Sequence, residues 1–163
     1  MKRVITLGAG CFWGPQAFFD RLPGVIKTTV GYANGCEDHV TYEQVCSATT
    51  NFVEAVQIVF DDEKITLNKL LNYFFNSIDP TTLNRQGPDW GRQYRTGVYY
   101  LPQDKRDFLP LIKEVANYEQ RKYHEKIVTE IEPLVKFIPA EEYHQKYLDK
   151  NPHRQCHFGW RKK

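Results

Sequence analysis

The chain has 163 residues, 41% apolar and 26% charged, which is enough for one core and sets collagen-like and disordered classes aside. Lys and Arg number 22 against 20 Asp and Glu. Three of the positive charges sit in Arg161-Lys162-Lys163, so the body is near neutral and lacks the basic excess of a nucleic-acid binder. Aromatics reach 14%, and there are four cysteines and a single methionine, Met1.

Residues 3–9 read as a strand. Lys2 and Arg3 ahead of Val4-Ile5-Thr6-Leu7 imitate a secretion signal, but Gly8 and Gly10 break the apolar stretch and no small-residue cleavage site follows. Phe18, Phe19 and Leu22 give a short helix closed by Pro23-Gly24. Residues 25–32, rich in β-branched side chains, form a second strand ending at the turn signal Asn34-Gly35. Residues 53–60 make another strand, stopped by Asp61-Asp62. Leu67, Leu70, Leu71, Phe74 and Phe75 fall at helical spacing, with Thr66 as N-cap. Residues 79–95 are polar and turn-rich, long for a connector and so a candidate functional loop. A strand over 97–101 precedes a charged amphipathic helix over 103–123, in which Pro110 is awkward but tolerated. A strand over 127–131 and a helix over 140–148 follow, and no periodicity is visible after Asn151.

Strands and helices interleave without repeat or linker. This predicts one domain over 1–163, an α/β or α+β sandwich with helices covering one sheet. No apolar run approaches the ~18 residues of a membrane span. Four cysteines are too few to staple a chain that can bury its own core, so a reducing, cytoplasmic setting is expected.

The cysteines are Cys11, Cys36, Cys46 and Cys156. No C-x-x-C pair occurs, which removes dithiol redox and zinc-ribbon patterns. Gly10-Cys11-Phe12-Trp13-Gly14 joins a strand to a helix whose N-terminal N–H groups and dipole favour thiolate over thiol. By spacing alone a buried structural thiol, the commoner fate of a lone cysteine, is the better reading of Cys11. Glu54 opens a strand that is apolar on both faces. Burial there would raise its pKa and keep it protonated as a general acid, unless it reaches solvent at the strand edge. The stretch from Asn84 to Arg95 gathers two aromatics and three arginines, as a site loop or as a solvated one. Cys156-His157 with His153 hints at a metal cluster but lacks further nearby donors, so an exposed tail is the better reading. His144 could serve Cys11 as a base, or be half-buried structure. No phosphate-binding loop and no G-x-S-x-G elbow is present.

Taken together these clusters resemble the A-type peptide methionine sulfoxide reductases. The likeness runs in order through Gly10-Cys11-Phe12-Trp13-Gly14, Val30-Gly31-Tyr32-Ala33, Thr41-Tyr42-Glu43-Gln44-Val45-Cys46, Glu54-Ala55-Val56, Asp79-Pro80-Thr81-Thr82-Leu83-Asn84-Arg85-Gln86-Gly87, Asp89, Gly91, Gln93-Tyr94-Arg95, Tyr143-His144-Gln145 and Asn151-Pro152. It implies an α+β fold, a two-layer α/β sandwich with a ferredoxin-like mixed sheet, covering helices and an irregular C-terminal tail. It implies Cys11 as nucleophile on the sulfoxide sulfur, with Phe12 and Trp13 around the substrate methyl group. Glu54 would donate a proton to the sulfoxide oxygen, helped by Tyr42 and Tyr94, and Asp89 would position substrate and water. Cys156, in a mobile tail over 150–163, would resolve the Cys11 sulfenic acid to a disulfide. Thioredoxin, or dithiothreitol in vitro, would reduce that disulfide, with no metal or organic cofactor. The substrates implied are oxidised proteins and peptides and free methionine sulfoxide, and the chain is expected to act as a monomer away from membranes and nucleic acid.

Some positions depart from the family pattern. Gln16 stands where Glu is common, and Phe52 and Ile78 where His is. Arg154-Gln155 precedes Cys156 in place of Gly-Tyr. Cys36 has no role in the motif and is an alternative disulfide partner, and Cys46 is unassigned. A Cys-nucleophile hydrolase using His144 and a non-catalytic peptide-binding module are the competing classes.

Overall fold

The structure, a computed structural model, describes residues 1–35, 41–46 and 51–151. Its larger elements are β1 (Lys2–Ala9), α1 (Trp13–Asp20), β2 (Val25–Ala33), α2 (Tyr42–Cys46), β3 (Val53–Asp61) and α3 (Leu67–Ser77). They continue with β4 (Arg85–Gln86), β5 (Asp89–Trp90), β6 (Thr96–Tyr100), α4 (Lys105–Gln120), β7 (Glu130–Pro133), β8 (Phe137–Pro139) and α5 (Tyr147–Lys150). Six strands form one mixed sheet in the order β7-β6-β1-β3-β2-β8. All neighbours are antiparallel except the parallel pair β6–β7. β1 is central: Ile5 faces Ile58 of β3 on one side and Tyr100 of β6 on the other.

Period-2 alternation sorts the strand side chains between two faces. Ile5, Leu7, Val30, Tyr32, Val56, Ile58 and Phe60 pack with Phe19 of α1, Leu70, Leu71, Phe74 and Phe75 of α3, and Phe108 and Ile112 of α4. Each such side chain removed from water contributes about 1.5–3 kcal/mol. The other face carries a smaller cluster of Ala33, Val53, Ala55, Tyr99 and Leu134. This is the expected two-layer α+β sandwich.

α3 begins as its sequence predicts, with the Thr66 hydroxyl accepting from the Lys69 N–H at 3.1 Å. The helix expected over 140–148 is instead a 3-10 turn (Glu142–His144), a left-handed Lys146 and the short α5. Tertiary bonds take the polar groups a continuous helix would use locally. The Lys146 N–H donates to Gln16 Oε1 at 2.6 Å, and the Gln145 amide brackets the backbone N–H and carbonyl of Val30. The strand expected over 127–131 begins only at Glu130. The Ile127 N–H is held by Gln120 Oε1 and the Val128 N–H by the Pro80 carbonyl, so sheet pairing starts where Glu130 meets Gly97. The loop 79–95 contains the β4–β5 hairpin and a 3-10 turn (Arg92–Tyr94). Among the described residues no helix is long and apolar enough to cross a membrane. Cys36, Cys156 and the rest of the expected tail from Pro152 onward, and the side chain of Cys46, lie outside the described residues.

Candidate active site

Cys11 sits half-buried between the end of β1 and the start of α1. The turn that presents it requires Gly10, whose φ is +84°, and a Cβ there would lie 2.7 Å from the Cβ of Gln86. Gln86 is itself buried and fixed: its Oε1 accepts from the Asp79 N–H at 2.7 Å and its Nε2 donates to the Asp79 carbonyl at 2.9 Å. The loop after α3 is therefore packed against the Cys11 turn through Gln86, whose amide is engaged by the loop's own backbone.

Glu54 lies fully buried on the helix-covered face of β3, beside Val56, Ile58 and Phe60. It does not reach solvent at the strand edge, so burial decides its chemistry. Its Oε1 accepts from the Phe12 N–H at 3.3 Å, one residue beyond Cys11. Among the described residues its Oε2 has no hydrogen-bond partner. Burial pushes its pKa up to about 8; the Phe12 N–H partly offsets this, and the charge of Asp89 adds to it. The acid is thus protonated near neutral pH beside the cysteine turn, and Asp89 is close enough to be felt.

Aromatic groups wall the same region. The Phe12 ring is 5.9 Å from Tyr32, 6.4 Å from Tyr42 and 5.4 Å from His144, centroid to centroid. Phe12 is wholly buried behind the site, whereas Trp13 keeps part of its surface open. The Trp13 indole is held on two sides. Its Nε1 donates to His144 Nδ1 at 3.1 Å, and its ring stacks on Tyr147 at 3.8 Å with an 8° interplanar angle. A histidine whose Nδ1 accepts that bond carries its proton on Nε2, and burial lowers its pKa. Nδ1, its one basic lone pair, is spent on Trp13, which removes His144 as a base for Cys11.

Tyr42 opens α2 next to this cluster, 4.5 Å from the His144 ring. Its N–H donates to Glu141 Oε2 at 3.1 Å, while Glu141 Oε1 accepts from the Tyr32 hydroxyl at 2.7 Å. Tyr32 pairs with Glu54 across β2 and β3, and burial raises its pKa, so it stays a neutral donor. Asp89 and Tyr94 come from the 79–95 loop, on β5 and the 3-10 turn. The structure therefore draws Cys11, Phe12, Trp13, Tyr42 and Glu54 together, with Asp89 coupled to Glu54 through its charge.

Glu141 and Tyr147 have no sequence signal of their own, and Tyr32 and Gln86 stand in the stretches that carry the likeness with no role attached to them there. Only the Tyr32–Glu54 register is traceable, through the parity of two strands. The departures at Gln16, Phe52 and Ile78 are all buried. Gln16 bridges the Thr28 carbonyl and the Lys146 N–H.

A protonated carboxyl bonded one residue beyond a cysteine at a strand-to-helix turn, inside an α+β sandwich, defines a class of thiol enzyme. The family model described as "Peptide methionine sulfoxide reductase" matches residues 3–163, and the chain belongs to that family. It is 53% identical over 159 residues to a peptide methionine sulfoxide reductase MsrA of Alkaliphilus metalliredigens, covering 98% of each chain. Its fold is similar to that of Mxr1 from Saccharomyces cerevisiae in reduced form, with a TM-score of 0.88 at 40% identity over 95% of this chain and 88% of that one. Mxr1 in complex with Trx2 also matches, with a TM-score of 0.62 at 30% identity over 90% of this chain and 84% of that one.

Proposed function

We propose that this chain reduces the S epimer of methionine sulfoxide, in proteins and as the free amino acid, with Cys11 as nucleophile and Glu54 as proton donor. The observation that carries the assignment is the buried Glu54 carboxyl, protonated near neutral pH and bonded to the Phe12 N–H beside Cys11. A sulfoxide oxygen leaves readily only when it is protonated or strongly hydrogen-bonded. The Cys11 thiolate attacks sulfur while Glu54 protonates the oxygen, with the hydroxyls of Tyr42 and Tyr94 as further donors. The S–O bond breaks as the protonated oxygen passes to the Cys11 sulfur, and the transient S–S bond cleaves with its electron pair returning to the substrate sulfur, giving methionine and a Cys11 sulfenic acid. Phe12 and Trp13 enclose the methyl group, and Asp89 orients substrate and water.

In this scheme the sulfenic acid condenses with the Cys156 thiol, releasing water and forming a disulfide. A thioredoxin dithiol then exchanges with that disulfide and restores both thiols. The cycle as written uses thiols alone. A resolved substrate tests the reading: with dithiothreitol present, methionine is expected from the S epimer and none from the R epimer. No methionine from the S epimer overturns it. One equivalent of substrate without reductant, followed by peptide mass mapping, is expected to give a Cys11–Cys156 disulfide. A Cys11–Cys36 or Cys11–Cys46 linkage would reassign the resolving thiol.

A further inference from the structure

Arg95 follows the 3-10 turn that ends at Tyr94, and its guanidinium is among the most completely engaged polar groups near the site. Its Nε donates to Glu130 Oε1 at 3.0 Å, its Nη1 to the Arg92 carbonyl at 2.9 Å and its Nη2 to the Asn51 carbonyl at 3.0 Å. The Arg95 side chain is only 12% exposed. The first of these bonds anchors it to β7. The second closes the turn that carries Tyr94. The third reaches the segment leading into β3, just ahead of Glu54. The Arg92 guanidinium adds a second tie, to Asn51 Oδ1.

The anchor is itself held. Glu130 Oε1 also accepts from the buried Tyr99 hydroxyl at 2.7 Å. That hydroxyl lies over Gly97, where a Cβ would come within 2.2 Å of its oxygen. Gly97, Tyr99, Glu130 and Arg95 therefore form one connected support between β6 and β7, on the sheet face opposite the helices.

We propose that Arg95 is a positioning residue for the reaction: its forked guanidinium fixes the turn carrying Tyr94 relative to the strand entry carrying Glu54. The inference rests on the roles assigned above to Glu54 and Tyr94. Two proton donors on separate segments act together on one oxygen only if their spacing is held, and a displacement of about 1 Å costs on the order of 100-fold in rate. A planar fork can bond a carboxylate and two carbonyls at once; a lysine ammonium in the same place keeps the charge but cannot span the three.

The test is single-turnover methionine release from the S sulfoxide by the full chain, for wild type, Arg95→Lys, Tyr94→Phe and the double variant. Arg95→Lys is expected to slow release roughly 10- to 100-fold with KM little changed. The double variant is expected to be no slower than the slower single one, because both changes lose the same donor. Guanidinium ion is expected to restore rate to Arg95→Ala, and ammonium ion is not. If Tyr94→Phe is slow while Arg95→Lys matches wild type, or if the two losses multiply, the positioning role is overturned and the site assignment stands. If Tyr94→Phe matches wild type, the phenol assignment falls and this proposal with it. Should Arg95→Lys fail to fold, Glu130→Gln weakens the anchor while leaving Arg95 in place, and the same cycle with Tyr94→Phe decides.

Discussion

Glu54 accepts one hydrogen bond from the Phe12 N–H and is otherwise buried, so desolvation sets its proton affinity. The folded protein holds this proton more tightly than the unfolded chain, whose carboxyl titrates near 4.3. The associated stability is complete below that value and is lost as pH rises through about 8. In Glu54→Gln the amide oxygen can still accept from the Phe12 N–H, and no charge has to be buried. Thermal melts should therefore show the variant gaining on wild type from pH 5 to pH 9, and the gap closing below pH 4. An unchanged gap across that range would contradict a buried, protonated Glu54. The same variant should lose about 10²- to 10⁴-fold in single-turnover methionine release with a much smaller effect on binding. In wild type that rate should fall as pH rises through about 8, a limb the variant lacks.

At the scale of elements, the turn from β1 into α1 depends on Gly10. An alanine there would take up a left-handed conformation, costing about 1–2 kcal/mol, and would also press on Gln86. Gly10→Ala is expected to lower the urea midpoint and to slow methionine release by more than the stability loss explains, because Cys11 moves with the turn. A normal rate in the folded variant would contradict this. Local signals mark the elements whose backbone groups are satisfied locally. Thr66 and the apolar spacing behind it locate α3, and the apolar parity on both faces of residues 53–60 foretells the burial of Glu54. The segment 140–148 misleads because its polar groups are used by partners far along the chain, Gln16 and Val30. Cys11, Trp13 and Glu54 are legible as local clusters, while Tyr42 gains meaning only from the family likeness. Glu141 stays silent in the sequence, and Arg95 stands in the likeness without a role, since their parts come from bonds to Tyr32, Tyr42, Asn51 and Glu130.

For the molecule as a whole, the proposed cycle separates one chemical turnover from its regeneration. Cys156→Ser is expected to release about one methionine per enzyme without reductant, because Cys11 is the one thiol the first step uses. With thioredoxin as sole reductant it should then stall, while dithiothreitol should keep it turning. Undiminished cycling with thioredoxin would move the resolving role to Cys36 or Cys46.

The place of β1 in the sheet bears on how the chain matures. β1 is synthesised first, yet its two neighbours, β3 and β6, begin at Val53 and Thr96. Such non-local pairing forms late in folding. On the roles proposed above, a nascent chain carries Cys11 without its proton donors until β3 brings Glu54 and the segment before β6 brings Tyr94. On those roles, turnover waits for long-range strand pairing and not for the synthesis of the cysteine itself.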